Sequence, residues 1–542
     1  MTTKRMIALL SGLLALLISA GFTARTQVRT PTSVSQSTDS HASAPSPTKS
    51  PIASIDPSGC GRCHSAEVAG FTLSAMSHSM RPGGAEPDGK VQVGGTTITI
   101  YSSSTGTWQR LEKGSHTSEY HVDYVVGSGK HATGYIVAIN DHLFQSPIAY
   151  YQSRHGYDVA PGYEAQADPD FTRAVTPACL FCHSGRAEPV TGTANEYKSP
   201  PFSHLAIGCS RCHGATEGHL AHPGPATIVN PARLQGAARD SICEQCHLLG
   251  VARVLNPGKQ FTDFQPGTPL EGTFTVYRNN MPPGAASKFR VISHVEQLAL
   301  SRCVRESGGR LWCGTCHDPH RDPVQPAAFY RSKCLACHTA AFPKSHPATD
   351  SNCIGCHMPK RDAKDGGHTA FTDHRIQRQP EPEQPVTEDI DISAWREPAD
   401  ANLQKRNLGI AYIQVGMERR SAAFVIRGYG MLTEVQDSFA SDPGLYGSIG
   451  TALLSAKRYS EAQRAYARAF DLDPGSSTAE ADLGQSYAFA GQLDPAIHYL
   501  EDSLAKDPLN LSVATLLMEI YDKQGDAAKA ADLAQRMRSA MK

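Results

Sequence analysis

Nearly all cysteines of this chain belong to one repeated pattern. Fourteen of the 15 cysteines form seven copies of Cys-x-x-Cys-His, whereas composition alone predicts about 0.02 copies. Two thiols at this spacing can form thioether bonds to the two vinyl groups of one haem, and the histidine that follows lies under the iron as axial ligand. The sequence therefore predicts seven covalently bound haem c groups. The copies are Cys60, Cys63 and His64; Cys179, Cys182 and His183; Cys209, Cys212 and His213; Cys243, Cys246 and His247; Cys313, Cys316 and His317; Cys334, Cys337 and His338; and Cys353, Cys356 and His357.

Other uses of paired cysteines fit this pattern less well. A disulfide framework requires no histidine after every second cysteine. Zinc knuckles combine pairs of Cys-x-x-Cys or sets of Cys and His, and they need no histidine after each pair. Thioredoxin-like redox motifs occur singly in a βαβ context. The odd cysteine, Cys303, is either a buried small hydrophobic residue or a thiolate near a haem, and the sequence leaves both readings open.

Each haem iron has a sixth coordination position. Histidine fills it in low-potential electron-transfer haems, and methionine raises the potential. Sixteen of the 23 histidines lie outside the seven motifs, so the supply is ample. We predict seven sixth ligands: His78, His131, His219, His320, His346, His368 and His374. His294, His204 and His222 are reserves, Met80 and Met358 are alternatives, and the predicted structural or surface histidines are His116, His121, His142, His155 and His498.

The first residues have the pattern of a secretory signal. Lys4 and Arg5 precede an apolar run over residues 6–20, and small residues follow. The run is too short for a comfortable membrane span. We therefore expect a signal peptide at 1–24 and a periplasmic or otherwise extracytoplasmic protein, with an uncleaved N-terminal membrane anchor as the alternative. Residues 25–56 are rich in Ser, Thr and Pro, which predicts a disordered linker.

Residues 57–378 contain all seven motifs and are predicted to form one seven-haem cytochrome domain. Alternating apolar and polar residues, such as Val91, Val93, Ile98 and Ile100, indicate a β-rich insertion at about 90–163. Elsewhere the periodicity is poor and Pro and Gly are frequent, so short helices held together by the haems fit best. The predicted fold class is mainly α, with this small β-rich insertion.

The C-terminal part of the chain repeats itself. A Pro-rich linker at 379–400 precedes it, and Ala462, Ala496 and Ala530 then recur 34 residues apart. This period of paired helices is typical of tetratricopeptide (TPR) repeats. We expect an α-helical TPR solenoid over 401–542 that docks a protein or peptide partner in its groove.

Several strings of residues resemble one family of proteins over residues 57–542. The match is to the multihaem cytochromes that are often fused to TPR repeats, broadly within the superfamily of hydroxylamine oxidoreductase, pentahaem nitrite reductase and their tetrahaem electron acceptor. The resemblance implies bis-His haem packing and electron transfer, and it strengthens His131, His219, His320 and His374 as ligands. The strings are Gly127-Ser128-Gly129-Lys130-His131, Pro161-Gly162-Tyr163, Cys179-Leu180-Phe181-Cys182-His183, Gly208-Cys209-Ser210-Arg211-Cys212-His213-Gly214, Ile228-Val229-Asn230-Pro231, Cys316-His317-Asp318-Pro319-His320, Cys356-His357-Met358-Pro359-Lys360 and Thr372-Asp373-His374-Arg375-Ile376.

These observations favour an electron carrier over an enzyme. The chain has no Cys-x-x-Cys-Lys motif, the motif that binds the catalytic haem of pentahaem nitrite reductases, which argues against that reaction. The expected function is electron transfer to redox protein partners. The alternative is an oxidoreductase with one open haem iron that acts on a small nitrogen or sulfur compound, and a purely structural use of seven haems is the least favoured reading. A net charge of −1 provides no basic field to hold nucleic acid.

Overall fold

The structure is a computed structural model that describes residues 59–280, 289–291, 294–338, 346, 352–378 and 390–541. The predicted signal peptide, the linker at 25–56 and residues 379–389 of the Pro-rich linker lie outside the described residues. None of the described helices is long and apolar enough to cross a membrane.

The first half of the described chain is dominated by antiparallel β-sheet. Strands β2 to β5 form a four-stranded meander, and a six-stranded sheet has the order β1–β6–β7–β9–β10 with β8 paired to β7. The alternation near Ile98 and Ile100 corresponds to β3, where both side chains are fully buried, because successive residues of a strand face opposite sides. The strands are β1 (Met80–Pro82), β2 (Gly89–Val93), β3 (Thr96–Ser103), β4 (Gly106–Lys113), β5 (His116–His121), β6 (Tyr124–Val126), β7 (Ala132–Ile139), β8 (His142–Gln145), β9 (Ile148–Tyr151) and β10 (Gly156–Val159).

Further β-structure lies among the Cys-x-x-Cys-His motifs, so the β-structure is more extensive than the one small insertion that the sequence predicts. The additional strands form two hairpins and one three-stranded sheet. They are short, and β14 pairs with β17 across more than a hundred residues of chain, so no local alternation announces them. They are β11 (Arg186–Pro189), β12 (Tyr197–His204), β13 (Ala252–Leu255), β14 (Phe274–Asn279), β15 (Lys360–Asp362), β16 (Ala370–Thr372) and β17 (Ile392–Ala394).

The helices of the motif region are short. Most contain or border a Cys-x-x-Cys-His motif, and Pro- or Gly-containing loops separate them. They are α1 (Ser65–Phe71), α2 (Pro177–His183), α3 (Ser210–His213), α4 (Glu217–Ala221), α5 (Gly236–His247), α6 (His294–Leu300), α7 (Arg302–Glu306), α8 (Cys313–Cys316), α9 (Pro326–Leu335) and α10 (Cys353–His357), and a 3₁₀ turn at Cys60–Arg62 carries the first motif.

The C-terminal region is helical, as predicted. Its helices are α11 (Ala401–Arg419), α12 (Ala422–Val435), α13 (Pro443–Ser455), α14 (Tyr459–Leu472), α15 (Ser477–Phe489), α16 (Leu493–Lys506), α17 (Leu511–Gln524) and α18 (Ala527–Ala540). Helices α13, α15 and α17 begin 34 residues apart, and the side chains of Asp442, Ser476 and Asn510 cap their N-termini in the same register. A Cβ at Gly450 would lie 2.7 Å from the Tyr466 ring, so glycine lets α13 and α14 pack closely.

The first helix of this region packs against the motif region. Residues 410–413 of α11 are all buried, so the helix is covered on opposite sides. Helices α12 and α13 cover one side, and Tyr277 and Ile392 of the three-stranded sheet cover the other. The Asn407 amide donates to Asn256 Oδ1 at 2.8 Å, and both residues are buried. The sheet formed by β13, β14 and β17 is therefore joined to the helical region by a packed core.

A second contact lies at the far end of the helical region. Leu509 belongs to the same buried cluster as Val137 and Phe144 of the six-stranded sheet. Between the two contacts, the Ser477 N–H donates to the Gly192 carbonyl at 2.8 Å. The helical repeats are thus attached to the motif region along their length.

Candidate haem-binding sites

Each motif is formed within about one turn of helix, which explains how it presents its three side chains. In four motifs, the backbone N–H of the histidine donates to the carbonyl of the first cysteine at 2.9–3.0 Å, as at His64 and Cys60. Residues three apart then share a face, so both sulfurs point the same way and the histidine follows at the end of the turn. All 15 cysteines are free thiols, as thioether formation requires.

Four motif histidines face a second histidine ring at nearly constant separation. An iron between two imidazoles separates the ring centroids by about 6.2 Å, given metal–nitrogen bonds of about 2.0 Å and about 1.1 Å from each nitrogen to its ring centre. The observed separations match this spacing, so these residues fit a six-coordinate haem iron. The pairs are His64 and His219 (6.4 Å), His213 and His320 (6.0 Å), His317 and His374 (6.2 Å), and His357 and His346 (6.3 Å), with interplanar angles of 15–30°.

Hydrogen bonds at Nδ1 orient several of these rings. A carbonyl acceptor holds the proton on Nδ1 and leaves the lone pair of Nε2 for a metal. The carbonyls of Val229 and Gln377 accept from His213 and His357 at 2.8 Å. The other Nδ1 contacts are His374 with the Thr372 carbonyl (2.9 Å), His219 with the Thr227 hydroxyl (2.9 Å) and His317 with the Tyr330 hydroxyl (3.2 Å).

Burial favours the neutral imidazole, which is the form that binds metal. Burial, together with the neighbouring histidines, lowers the pKa of His374 to about 4 and that of His294 to about 3. Burial also lowers the pKa of His183 and that of His247. These rings are therefore neutral at neutral pH, as metal binding would require.

The histidine of the fourth motif lies beside a histidine that is not among the seven predicted sixth ligands. The ring of His247 lies 5.6 Å from that of His294, which the sequence placed only among the reserves, and the planes are nearly perpendicular. His294 also lies 4.9 Å from His374. Its role had no signal in the sequence, because it follows no motif closely.

The other three predicted sixth ligands, His368, His131 and His78, do not face the ring of a described motif histidine. His368 places its Nε2 2.8 Å from Asp158 Oδ2 and 2.8 Å from the Arg154 guanidinium. His131 packs on Phe371 at 4.5 Å. His78 is exposed, and its Nδ1 donates to a backbone carbonyl. Among the described residues, His183 and His338 have no second histidine ring stacked on them.

Thiols of different motifs lie close enough for one thiol to shift the pKa of the other. The four cysteine pairs that interact in this way are Cys60 with Cys209, Cys182 with Cys246, Cys243 with Cys313, and Cys334 with Cys353. These atoms are the predicted haem attachment points, and their closeness places the motifs near one another in space. Cys303 lies beside the fifth and sixth motifs, where it interacts electrostatically with Cys316 and Cys334.

Two residues that contact the ligands were not anticipated from the sequence. Tyr330 on α9 reaches His317 from the following helix, and no local spacing signals this contact. Asp318 lies 3.3 Å from Nδ1 of His320. Its position between His317 and His320 in the sequence is the signal that could have identified this contact. No group of three or more His, Cys, Asp or Glu side chains within the described ranges is arranged to hold a metal ion; a haem iron needs only two protein ligands.

Comparison with known proteins gives a partial match. A family model for cytochrome c554 and c-prime matches residues 150–214, which include the second and third motifs. A solved structure described as "MamA MSR-1 C2" is similar at 18% identity and a TM-score of 0.23, over 27% of this chain and 80% of its own. A second, described as "Crystal structure of MamA", is similar at 17% identity and a TM-score of 0.22, over 24% of this chain and 77% of its own. No curated protein matches. The family match supports a c-type cytochrome, a class that binds haem c covalently.

Proposed function

We propose that the chain is an extracytoplasmic heptahaem c-type cytochrome that transfers electrons along closely packed, mostly bis-His haems. The observation that carries the proposal is the set of four histidine pairs at 6.0–6.4 Å. Two axial histidines fill both open positions of a haem iron, and such haems exchange electrons rather than bind substrates.

The packing of the motifs supports rapid exchange. When bound, the haems would supply the one-electron chemistry. The protein holds their attachment points close together, since in four cysteine pairs from different motifs one thiol shifts the pKa of the other. The carbonyls at Nδ1 of His213 and His357 hold those rings in one orientation, which limits reorganisation when the charge on an iron changes.

The helical repeats would dock a protein partner, including a redox partner. Repeats of paired helices stack into extended surfaces that bind proteins. The attachment of α11 and of the loop at Leu509 to the motif region supports a rigid arrangement, in which a partner bound to the repeats stays at a constant position relative to the haems. We propose a periplasmic or otherwise extracytoplasmic location, because haem c attachment and the predicted N-terminal signal would both require export.

Haem counting tests the proposal. The full chain, produced with its own signal in a host that attaches haem c, should carry seven haems by intact mass and by iron content. Spectra of the reduced protein with and without carbon monoxide then count the irons that lack a sixth ligand, and an unchanged spectrum would mean that every iron has one. A double Cys334→Ser and Cys337→Ser variant should lose the mass of one haem. Unmodified mass, or zinc in place of iron, would overturn the proposal.

A second function is favoured by one observation. Among the described residues, His183 and His338 have no histidine ring stacked on them, which is the arrangement expected beside an open iron. The second candidate is therefore an oxidoreductase that acts on a small nitrogen or sulfur compound. A carbon monoxide spectrum that reports one open haem per chain would favour it over the carrier.

A further inference from the structure

We propose that Asp318 lowers the reduction potential of the haem held by His213 and His320, acting through the His320 ring as a positioning residue. The inference rests on the proposed function, because it requires a haem between these two rings. It concerns a residue that binds no haem itself.

The contact is set by three consecutive residues after the fifth motif. Oδ1 of Asp318 accepts the backbone N–H of His320 at 3.0 Å. The same oxygen lies 3.3 Å from Nδ1 of His320. The ring of His320 is 6.0 Å from that of His213, so its Nε2 side is turned to the iron position. The carboxylate therefore faces the side of the ring opposite the metal.

Asp318 differs chemically from the Nδ1 partners of the other ring pairs. His213, His357 and His374 face backbone carbonyls, and His219 and His317 face hydroxyl groups. All of these partners are neutral. A carboxylate at Nδ1 makes the imidazole a stronger donor to its metal. Stronger donation stabilises the oxidised iron more than the reduced iron, so the potential falls.

Neighbouring charges reduce this effect without removing it. Arg321 places Nε 3.1 Å from Oδ2 of Asp318, on the oxygen that His320 does not use. Asp322 follows Asp318 on the same loop. It pairs with Lys130 of a distant segment and interacts electrostatically with His317 of the fifth motif. Asp318 and His320 are each about one-third exposed (37% and 36%), so solvent also screens the carboxylate.

Potentiometric titration of the full haem-loaded chain tests the inference. Asp318→Asn should raise one midpoint potential, with about a tenfold change in that haem's reduction equilibrium, which corresponds to 59 mV for one electron. Asp318→Glu should retain the native potential. Arg321→Gln should lower the same potential, because it removes the opposing cation. The electron paramagnetic resonance spectrum should show altered g-values for one low-spin haem in Asp318→Asn.

Asp168 provides a matched control. Its carboxylate also accepts the backbone N–H of Gly95 and pairs with the Lys113 ammonium, but it contacts no motif. Asp168→Asn should leave every potential unchanged. Unchanged potentials in Asp318→Asn with full haem content, or an equal shift in Asp168→Asn, would overturn the inference. Failure of the proposed function is distinguishable, because the wild-type chain itself would then lack covalent haem or low-spin bis-His signals.

Discussion

Nε2 of His142 lies 3.1 Å from Oδ1 of Asp507, and both side chains are almost completely buried, at 4% and 0% exposed. Nδ1 of the same ring lies 2.9 Å from the Asn140 carbonyl. Both neighbours are acceptors, an arrangement that favours the imidazolium form of His142. Asp507 also accepts the N–H of Ala194 at 3.1 Å. This ion pair therefore holds the later repeats to the six-stranded sheet.

We predict that this contact weakens as the pH rises. Burial opposes the charge on His142, but the hydrogen bonds to Asp507 and to Asn140 outweigh it and raise the pKa. A raised folded pKa contributes stability that is complete below about pH 6.5 and is lost as the pH rises through the folded value. His142→Gln should cost about 3 kcal/mol of unfolding free energy in the acidic range.

Denaturant unfolding between about pH 5 and pH 9 measures this difference. The gap between wild type and His142→Gln should shrink toward the alkaline end. His498 is the control, because it is exposed beside Asp502, and His498→Gln should change stability by less than about 0.5 kcal/mol. A gap that does not vary with pH would contradict the assignment of charge to His142.

A second buried ion pair lies within the helical region, and its arginine also contacts the motif region. Arg406 Nε lies 2.8 Å from Asp442 Oδ2, both side chains are buried, and the guanidinium also donates to the Leu255 carbonyl. Arg406→Met leaves a buried carboxylate unpaired, so we expect a loss of about 3 kcal/mol in urea unfolding. The adjacent Lys405 pairs with Glu434 at the surface, and Lys405→Met should cost less than about 1 kcal/mol. Equal losses of unfolding free energy in Arg406→Met and Lys405→Met would contradict the buried ion pair between Arg406 and Asp442.

His219 and His368 should respond differently to removal. His219→Ala removes the ring that faces His64, so carbon monoxide should bind one haem of the reduced protein. His368→Ala should open no iron, because Nε2 of His368 is already engaged by Asp158 and Arg154. Absorption spectra of the two reduced variants with carbon monoxide compare them directly. If carbon monoxide bound only to the His368→Ala variant, His368 rather than His219 would be the sixth ligand of a haem iron.

Asp482 on α15 should destabilise the repeats at neutral pH. Burial raises the pKa of its carboxyl to about 6, so the folded protein binds this proton more tightly than the unfolded chain does. Stability should then rise as the pH falls from about 6 to about 4, and Asp482→Asn should add about 1–2 kcal/mol at pH 7. Thermal unfolding checks this, with the exposed Asp532→Asn as control. A lower melting temperature for Asp482→Asn would contradict the prediction.

Much of the architecture follows from local chemistry and was readable in the sequence. A motif such as Cys209, Cys212 and His213 needs only one helical turn to present two thiols and an imidazole, so its spacing alone indicates haem attachment. The helix pairs follow their 34-residue period because each pair must bury an apolar face on the next. Ala462 and Ala496, which mark that period, are completely buried.

Pairing between distant segments was decided only by the tertiary structure. His64 meets His219, and His247 meets His294 rather than a histidine close to its motif, because these contacts depend on how many short helices pack together. The extra strands appear for the same reason, since β14 finds β17 far along the chain. Residue types and short spacings thus determined which chemistry this protein carries, whereas the packing of remote segments determined which histidine faces which iron position.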